Sequence, residues 1–376
     1  MLLVSEPNLG DDEKAALVEV IDSNWITMGD RVRAFERAFA AMHGAADAVA
    51  VSSCTAALHL ALDALEIGPG DEVLVPSLSF VATANSVIYC GAKPVFVDIG
   101  SLARPLMDPA DAADKCSSRT RALVVMHYGG MLCDPALWRD FASRRGLMIV
   151  EDSAHAVGAA RGAIYGNAAA FSFYGNKNIT TGEGGMVISH DPAVTERIRR
   201  KRGAGMTSGT FQRLGLRSGS YDVTMLGYNY RMTELNAAIG LKQLEKLLDW
   251  NRTRRNLMAT YGEAIARICP QVTFPFSNAT ATPHIMAAVL PAYADRMAVM
   301  GGLRDDGVQT SVHYPPIHTL SWYRERYPDI RLPVTEAFAE RELTLPLHPK
   351  MVSADVEHVA NSLARHIGDS SNALET

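Results

Sequence analysis

Residues 151–186 read EDSAHAVGAARGAIYGNAAAFSFYGNKNITTGEGGM. An apolar run at residues 147–150 precedes this stretch and predicts a buried strand that ends at Asp152. A second apolar run, residues 168–173, predicts another strand that leads to Lys177 and a glycine-rich turn. Ligands of open α/β sheets collect at the carboxyl ends of the strands, so Asp152 and Lys177 could converge on one ligand.

Pyridoxal phosphate is a ligand that needs this pair of groups. A lysine amine forms a Schiff base with its aldehyde, and a carboxylate opposite the pyridinium nitrogen keeps that nitrogen protonated, so the ring can take up electrons from the substrate carbon. The alternative is that Asp152 caps a helix and Lys177 is a solvated surface lysine, since charged side chains are usually exposed. The spacing of the two residues alone leaves both interpretations open.

The same stretch resembles a known family. ED-x-A-H-A-x-G-A (151–159) and F-S-F-Y-x-x-K-N-I-T-T-G-E-G-G (171–185) are similar to sequences of the DegT-type sugar aminotransferases, the DegT/DnrJ/StrS family. Similar blocks at residues 24–27 with 35–36, 52–62, 75–85, 94–98 and 227–240 extend the resemblance over most of the chain. The resemblance implies the aspartate-aminotransferase fold (fold type I) of pyridoxal-phosphate enzymes.

The order of predicted elements agrees with that fold. Strands predicted at 72–76, 94–97, 121–127 and 147–152 alternate with helices, which favours an α/β three-layer domain with a mainly parallel sheet. We predict a large domain over residues 1–250, whose first 20 or so residues could pack on the small domain, and a smaller α+β domain over 251–376. In the small domain, residues 284–290 and 308–314 are predicted as strands.

Composition excludes several other classes of protein. The 376-residue chain is 48% hydrophobic and 20% charged with a net charge of −5, which gives no support to nucleic acid or an anionic membrane as a partner. Five scattered cysteines without a CxxC pair indicate neither a disulfide framework nor a zinc site. The acidic N-terminus is unlike a signal peptide and no apolar run could span a bilayer, so a cytoplasmic protein is expected.

A phosphate site is predicted where the strand at residues 48–52 runs into a helix. Free N–H groups and the helix dipole favour an anion at such a junction, although Ser53 or Thr55 could instead serve only as a helix cap. The resemblance assigns phosphate contacts to Thr55 and Ala56, and this chain has Cys54 where the family usually has glycine.

The resemblance also implies roles for other residues. Lys177 would hold the cofactor and then move the proton between substrate carbon and cofactor, and Asp152 would pair with the ring nitrogen. Asn229 would reach the phosphate from a second subunit, which implies a homodimer with shared active sites. The remaining implied cofactor contacts are Phe80 over the ring, His155 near its phenolic oxygen and Ser172 at its phosphate.

For the substrate, the resemblance indicates Trp25, Thr27, His313 and Tyr314. It implies a keto-sugar, typically nucleotide-linked, with glutamate or glutamine as amino donor. A free ketocyclitol is the alternative substrate. A sugar dehydratase of the same fold is a rival, but those relatives replace the lysine by histidine. A non-catalytic homologue would be expected to lack Asp152, Lys177 or the phosphate block, and all are present.

Overall fold

A computed structural model of the protein describes residues 1–159, 164–208, 220–276 and 282–368. A seven-stranded sheet forms its centre, and two shorter sheets accompany it. The strands are β1 (Val49–Val51), β2 (Glu72–Pro76), β3 (Lys93–Val97), β4 (Ile99–Ser101), β5 (Arg104–Met107), β6 (Thr120–Met126), β7 (Met148–Asp152), β8 (Ala168–Ser172), β9 (Gly185–Ile188), β10 (Met286–Val289) and β11 (Glu342–Leu345).

Helices separate most of these strands along the chain. They are α1 (Asp11–Asp22), α2 (Asp30–His43), α3 (Cys54–Ala64), α4 (Ala82–Tyr89), α5 (Pro109–Asp114), α6 (Pro135–Ser143), α7 (Pro192–Lys201), α8 (Glu234–Ile268), α9 (Arg296–Asp305), α10 (Ser321–Arg326), α11 (Pro333–Arg341) and α12 (Ser353–Ile367). Within the described ranges, no helix has the length and apolar character needed to cross a membrane.

The central sheet has the strand order β1-β9-β8-β7-β6-β2-β3. The five strands from β8 to β3 are mutually parallel, whereas β9 is antiparallel to both β8 and β1. The predicted α/β class with a mainly parallel sheet is therefore confirmed. Because β6, β7 and β8 are parallel neighbours, their last residues, Met126, Asp152 and Ser172, lie along the same edge of the sheet.

Both faces of this sheet are buried, because successive side chains of a strand point to opposite sides. Val73 and Val75 of β2 belong to an apolar core that includes side chains of α3, α4 and α7, whereas Leu74 belongs to the core on the other face. Val150 and Ile149 of β7 divide between the two cores in the same way. This double burial explains why these strands read as continuous apolar runs in the sequence.

The long helix α8 crosses the boundary predicted at residue 250. Thr233 caps its first turn, because the Thr233 hydroxyl accepts a hydrogen bond from the Asn236 N–H at 3.2 Å. The helix packs against α1, α2 and α12. The first residues of the chain lie on the C-terminal part, where Leu2 forms a parallel bridge with Val308. The division at residue 250 itself stays a prediction.

One predicted strand is wrong. Residues 308–314 form no ladder, and Ser311 makes only an isolated bridge to Thr344. The strand that pairs with β10 is β11, in antiparallel register from Met286 opposite Leu345. The reason lies in the hydrogen bonds of this segment, since the His313 N–H donates to the Glu342 carboxylate at 2.8 Å instead of to a neighbouring strand.

We expect Gly185→Ala to destabilise the fold. A Cβ at Gly185 would lie 2.6 Å from the carbonyl carbon and oxygen of Ser53 and 2.8 Å from the Cys54 nitrogen, in the turn between β1 and α3. Overpacking of this kind lowers the free energy of unfolding by about 1–3 kcal/mol, which urea denaturation would measure. Gly301→Ala in α9 is the control, because its Cβ would meet nothing within 4 Å. Equal loss in both variants would contradict the prediction.

Candidate active site

A cavity of about 480 Å³ opens at the carboxyl edge of the central sheet. This volume is ordinary for a site that binds a small molecule. Most of the residues selected from the sequence line it, and the cavity therefore brings together the ends of β7 and β8, the start of α3 and the segment around residue 313. The selected residues on its walls are Thr55, Phe80, Asp152, His155, Ser172, Lys177, His313 and Tyr314.

Lys177 lies in the loop between β8 and β9 and points its amine towards this cavity. The Lys177 N–H donates to the Tyr174 carbonyl at 3.0 Å, which fixes the backbone of the loop. Burial lowers the pKa of Lys177 to about 8, although Cys54 and Asp152 oppose this shift. A substantial fraction of the amine is therefore unprotonated in mildly alkaline solution and available as a nucleophile or base.

Asp152 is a buried carboxylate whose hydrogen bonds all come from neutral groups within the described residues. Its Oδ2 accepts from the Thr83 hydroxyl at 2.7 Å and its Oδ1 from the Ala154 N–H at 3.2 Å. Burial raises the pKa of Asp152, and these two hydrogen bonds and Lys177 act in the opposite direction. A carboxylate in this setting is stabilised by any ligand that brings a positive charge into the cavity.

The start of α3 forms another wall. The Ser53 side chain accepts from the Ala56 N–H at 3.1 Å and is the helix cap. Thr55 lines the cavity, whereas Ala56 does not, and its N–H is used by the cap. Ser172, at the end of β8, also lines the cavity. The positive end of the α3 dipole thus faces the cavity and favours an anion there.

Hydrogen bonds set the tautomer of His155. Its Nδ1 accepts from the Gly129 N–H at 3.1 Å, so Nε2 carries the proton and donates to the Tyr314 oxygen at 3.0 Å. Burial lowers the pKa of His155 well below its usual range, which keeps the ring neutral. Because Tyr314 accepts from His155, its own O–H is directed elsewhere and can donate to a ligand.

His313 lies beside Tyr314 and is also held in place. Its Nδ1 is 2.8 Å from the Thr344 hydroxyl, which donates to the buried Glu342 carboxyl group at 2.5 Å. Burial lowers the pKa of His313 to about 3 and raises the pKa of Glu342 to about 8. At neutral pH, His313 therefore presents an uncharged ring to the cavity.

Phe80 and the remaining selected residues are placed differently. The Phe80 ring lines the cavity and is 57% exposed, so one aromatic face is open to a ligand. Asn229 is exposed, and its backbone forms a bridge to Gly203 away from the cavity. Trp25 packs near Gly29 at the start of α2, and Thr27 lines a separate depression. Within one chain, Asn229, Trp25 and Thr27 do not line the cavity that contains Lys177.

Two further side chains, which the sequence patterns do not single out, contact Asp152 and Lys177. Thr83 holds the Asp152 carboxylate, and its hydroxyl lies 2.6 Å from that of Ser79. The His284 Nε2 lies 3.4 Å from the Lys177 amine. Thr83 belongs to a block that resembles the family, which is the signal that could have indicated it. For His284 the sequence pattern predicts only the first residue of a strand at 284–290.

The chain matches the model of the DegT/DnrJ/EryC1/StrS aminotransferase family over residues 7–364. Among solved structures it is similar to the aminotransferase TlmJ from Streptoalloteichus hindustanus, with 34% identity over 100% of both chains and a TM-score of 0.89. It is also similar to the sugar aminotransferase CalS13 from Micromonospora echinospora, with 29% identity over 97% of this chain and 100% of that chain and a TM-score of 0.88.

A third similar structure bears on the cofactor. Spr1654 from Streptococcus pneumoniae is 26% identical and has been solved in a pyridoxamine-phosphate form, with a TM-score of 0.91 over 97% of this chain and 98% of that chain. Its pyridoxal-phosphate form matches with 26% identity and a TM-score of 0.89 over 97% and 99% of the two chains.

Fold and comparisons together define the class, which is a pyridoxal-phosphate-dependent aminotransferase. The chain belongs to the DegT/DnrJ/EryC1/StrS aminotransferase family. The family predicted from residues 151–185 is therefore confirmed, together with the fold and the cofactor.

We expect Asp152→Asn to separate cofactor binding from catalysis. The variant should fold and bind pyridoxal phosphate, yet lose about 100-fold or more of its transamination rate, because a neutral amide no longer stabilises the protonated ring nitrogen. Absorbance changes on addition of an amino donor would measure the rate. Near-normal turnover would contradict the assignment of Asp152.

The stability of the cofactor-free variant provides a control. The folded-state pKa of Asp152 is raised, so ionisation of this carboxyl costs stability as pH rises above its unfolded value of about 3.9. Asp152→Asn removes that cost. Its melting temperature at pH 8 should therefore be no lower than that of wild type, which distinguishes lost chemistry from misfolding.

Proposed function

We propose that this protein transfers an amino group from glutamate or glutamine to a nucleotide-linked keto-sugar. The observation that supports this most directly is the convergence of Lys177 and Asp152 on one cavity. The similarity to the sugar aminotransferase CalS13 supports a sugar as the amino acceptor.

The cavity residues fit pyridoxal phosphate, the cofactor that this reaction needs. Among the described residues, Asp152 receives hydrogen bonds only from the neutral Thr83 hydroxyl and Ala154 N–H, so the protonated ring nitrogen of the cofactor would supply its missing charge partner. When bound, pyridoxal phosphate forms a Schiff base with an amine and takes up electrons from the substrate carbon.

Lys177 has two tasks in this proposal. Its amine would hold the cofactor before the substrate arrives, and would then carry the proton between the substrate carbon and the cofactor. A pKa of about 8 suits the second task, because a base is most effective when its pKa lies near the working pH.

Other residues of the cavity would bind and orient the cofactor. Thr55 and Ser172, together with the N-terminus of α3, would hold the phosphate, since both side chains line the cavity where the helix dipole favours an anion. The open face of Phe80 would stack on the ring. His155 would lie near the phenolic oxygen, and its neutral, fixed tautomer sets the direction of the neighbouring Tyr314 hydroxyl.

The substrate would enter beside the Tyr314 and His313 side chains. Tyr314 has an O–H that can donate to a sugar or phosphate oxygen, because its oxygen already accepts from His155. The His313 ring is uncharged at neutral pH and can form a hydrogen bond with an uncharged group of the substrate. A panel of nucleotide-linked keto-sugars and free ketocyclitols, assayed for consumption of glutamate or glutamine, would test the substrate class, and turnover of ketocyclitols alone would contradict it.

A symmetric homodimer would complete the site. Asn229 is exposed and lies away from its own cavity, so it can contact the cofactor phosphate only in a partner subunit. Apolar side chains near it support a buried interface, since Leu226 is 80% exposed and Val223 is 54% exposed in the single chain. Trp25 and Thr27 would likewise contribute to the partner's substrate site.

We expect Lys177→Ala to abolish the half-reaction with an amino donor alone. A general acid–base group contributes about 100- to 10,000-fold, and loss of the cofactor-binding amine adds to that effect. Absorbance would follow conversion of bound pyridoxal phosphate to pyridoxamine phosphate. Lys14→Ala is the control, because Lys14 is an exposed lysine of α1 whose amine pairs with the exposed Asp11. Conversion at a comparable rate in Lys177→Ala would overturn the proposed function.

We expect mixed dimers to recover activity from two inactive chains. A chain with Asn229→Leu and a chain with Lys177→Ala would form one intact site per mixed dimer, because Lys177 of the first chain meets Asn229 of the second. Refolding the two chains in equal amounts should restore about a quarter of wild-type activity, since about half of the dimers are mixed. No recovery, or a fully active monomer by light scattering, would contradict the shared site.

A further inference from the structure

The Lys177 amine has a partner outside the cavity walls. The His284 Nε2 lies 3.4 Å from the Lys177 Nζ, and His284 is only 4% exposed. His284 precedes β10 and is separated from Lys177 by 107 positions in the sequence. The contact therefore joins the lysine loop to the C-terminal part of the chain.

A chain of side-chain amides fixes the orientation of this histidine. The Asn251 amide N–H group donates to the Val157 carbonyl at 3.1 Å, so the Asn251 Oδ1 faces Asn178. The Asn178 Nδ2 donates to that oxygen at 2.8 Å and also to the Pro283 carbonyl at 3.4 Å. The Asn178 Oδ1 is therefore left as the acceptor that faces the His284 Nδ1 at 3.0 Å.

These contacts determine the tautomer of His284. Because Asn178 presents an acceptor, the His284 Nδ1 must carry the proton and donate it. The Nε2 atom then has a lone pair, and this lone pair faces the Lys177 amine. An amine or an ammonium can donate to it, so the contact persists in both protonation states of Lys177.

The surroundings keep His284 neutral. Burial lowers its pKa well below the usual range, and four basic groups act in the same direction: His155, Lys177, Arg254 and His313. The His155 and His284 rings lie 4.3 Å apart, and Arg254 donates to the His284 carbonyl at 3.4 Å. On the cavity side, Cys54 and Asp152 face Lys177 and raise its pKa.

We infer that His284 is a positioning residue that accepts a hydrogen bond from the Lys177 amine and directs the amine lone pair into the cavity. This inference rests on the proposed function of Lys177. The acceptor stabilises the ammonium form more than the amine, because hydrogen bonds to charged groups are the stronger ones. His284 thus partly offsets the burial that lowers the pKa of Lys177.

Three variants of His284 separate the acceptor from the packing. Glutamine can place an amide oxygen near the position of Nε2 and keep the acceptor for Lys177. Asparagine is shorter and keeps a polar group near the position of Nδ1, beside Asn178, but leaves Lys177 without an acceptor. Leucine removes both contacts. Melting temperatures of the full-length variants would show that each is folded.

The first measurement is the pKa of Lys177 in the full-length, cofactor-free protein. Competitive acetylation with acetic anhydride over a pH series, followed by mass spectrometry of the Lys177 peptide, gives this value directly. We expect His284→Asn and His284→Leu to lower it by about one unit, and His284→Gln to change it by less than about half a unit. Wild-type values in His284→Asn and His284→Leu would overturn the inference, and so would a Gln variant that shifts as much as Leu.

The second measurement uses the holoenzyme. We expect His284→Asn to lower kcat of the half-reaction by about tenfold with little change in the KM of the amino donor, because the contact orients the base and does not bind the donor. A change in KM alone would contradict this role. If Lys177→Ala retains the half-reaction, the proposed function fails; if it is inactive while His284→Asn matches wild type in both measurements, only this inference fails.

Discussion

The site depends on the register of three parallel strands. Met126 at the end of β6 pairs with Asp152 at the end of β7, and Asp152 pairs with Ala170 of β8. Pairing continues past the strand ends, since the Ser153 N–H donates to the Ala170 carbonyl at 2.8 Å. A shift of one residue in β7 would turn Asp152 away from the cavity and replace it by Glu151, because side chains alternate between the two faces of a sheet.

That alternation gives two neighbouring acids different environments. Glu151 is fully buried on the opposite face, where its carboxylate accepts from the Tyr165 and Gly166 N–H groups at 2.7 and 2.6 Å and lies 2.9 Å from the His127 Nε2. Its hydrogen-bonding capacity is used within the fold. Among the described residues, Asp152 accepts hydrogen bonds only from neutral donors, and burial raises its pKa, so a cationic ligand in the cavity would stabilise its charged form.

Around the cavity, polarity is set by neutral histidines with fixed tautomers. The Gly129 N–H makes His155 a donor to Tyr314, and the Asn178 amide makes His284 an acceptor for Lys177. Both rings are buried among basic groups and remain uncharged. Donors and acceptors that are already oriented need little reorganisation when a ligand reacts, which is the main source of electrostatic stabilisation in enzymes.

The sequence by itself determined the family, the strand that ends at Asp152, the strand that leads to Lys177, and the start of α3 at the cavity. These features are local, because apolar runs, caps and short motifs are properties of neighbouring residues. Tertiary structure alone decided that β11 and not residues 308–314 pairs with β10, that Trp25 and Thr27 lie apart from Lys177 in one chain, and that His284 contacts the lysine amine. Each of these depends on contacts between residues far apart in the chain, whose pairing follows from how the packed elements meet and not from any local pattern.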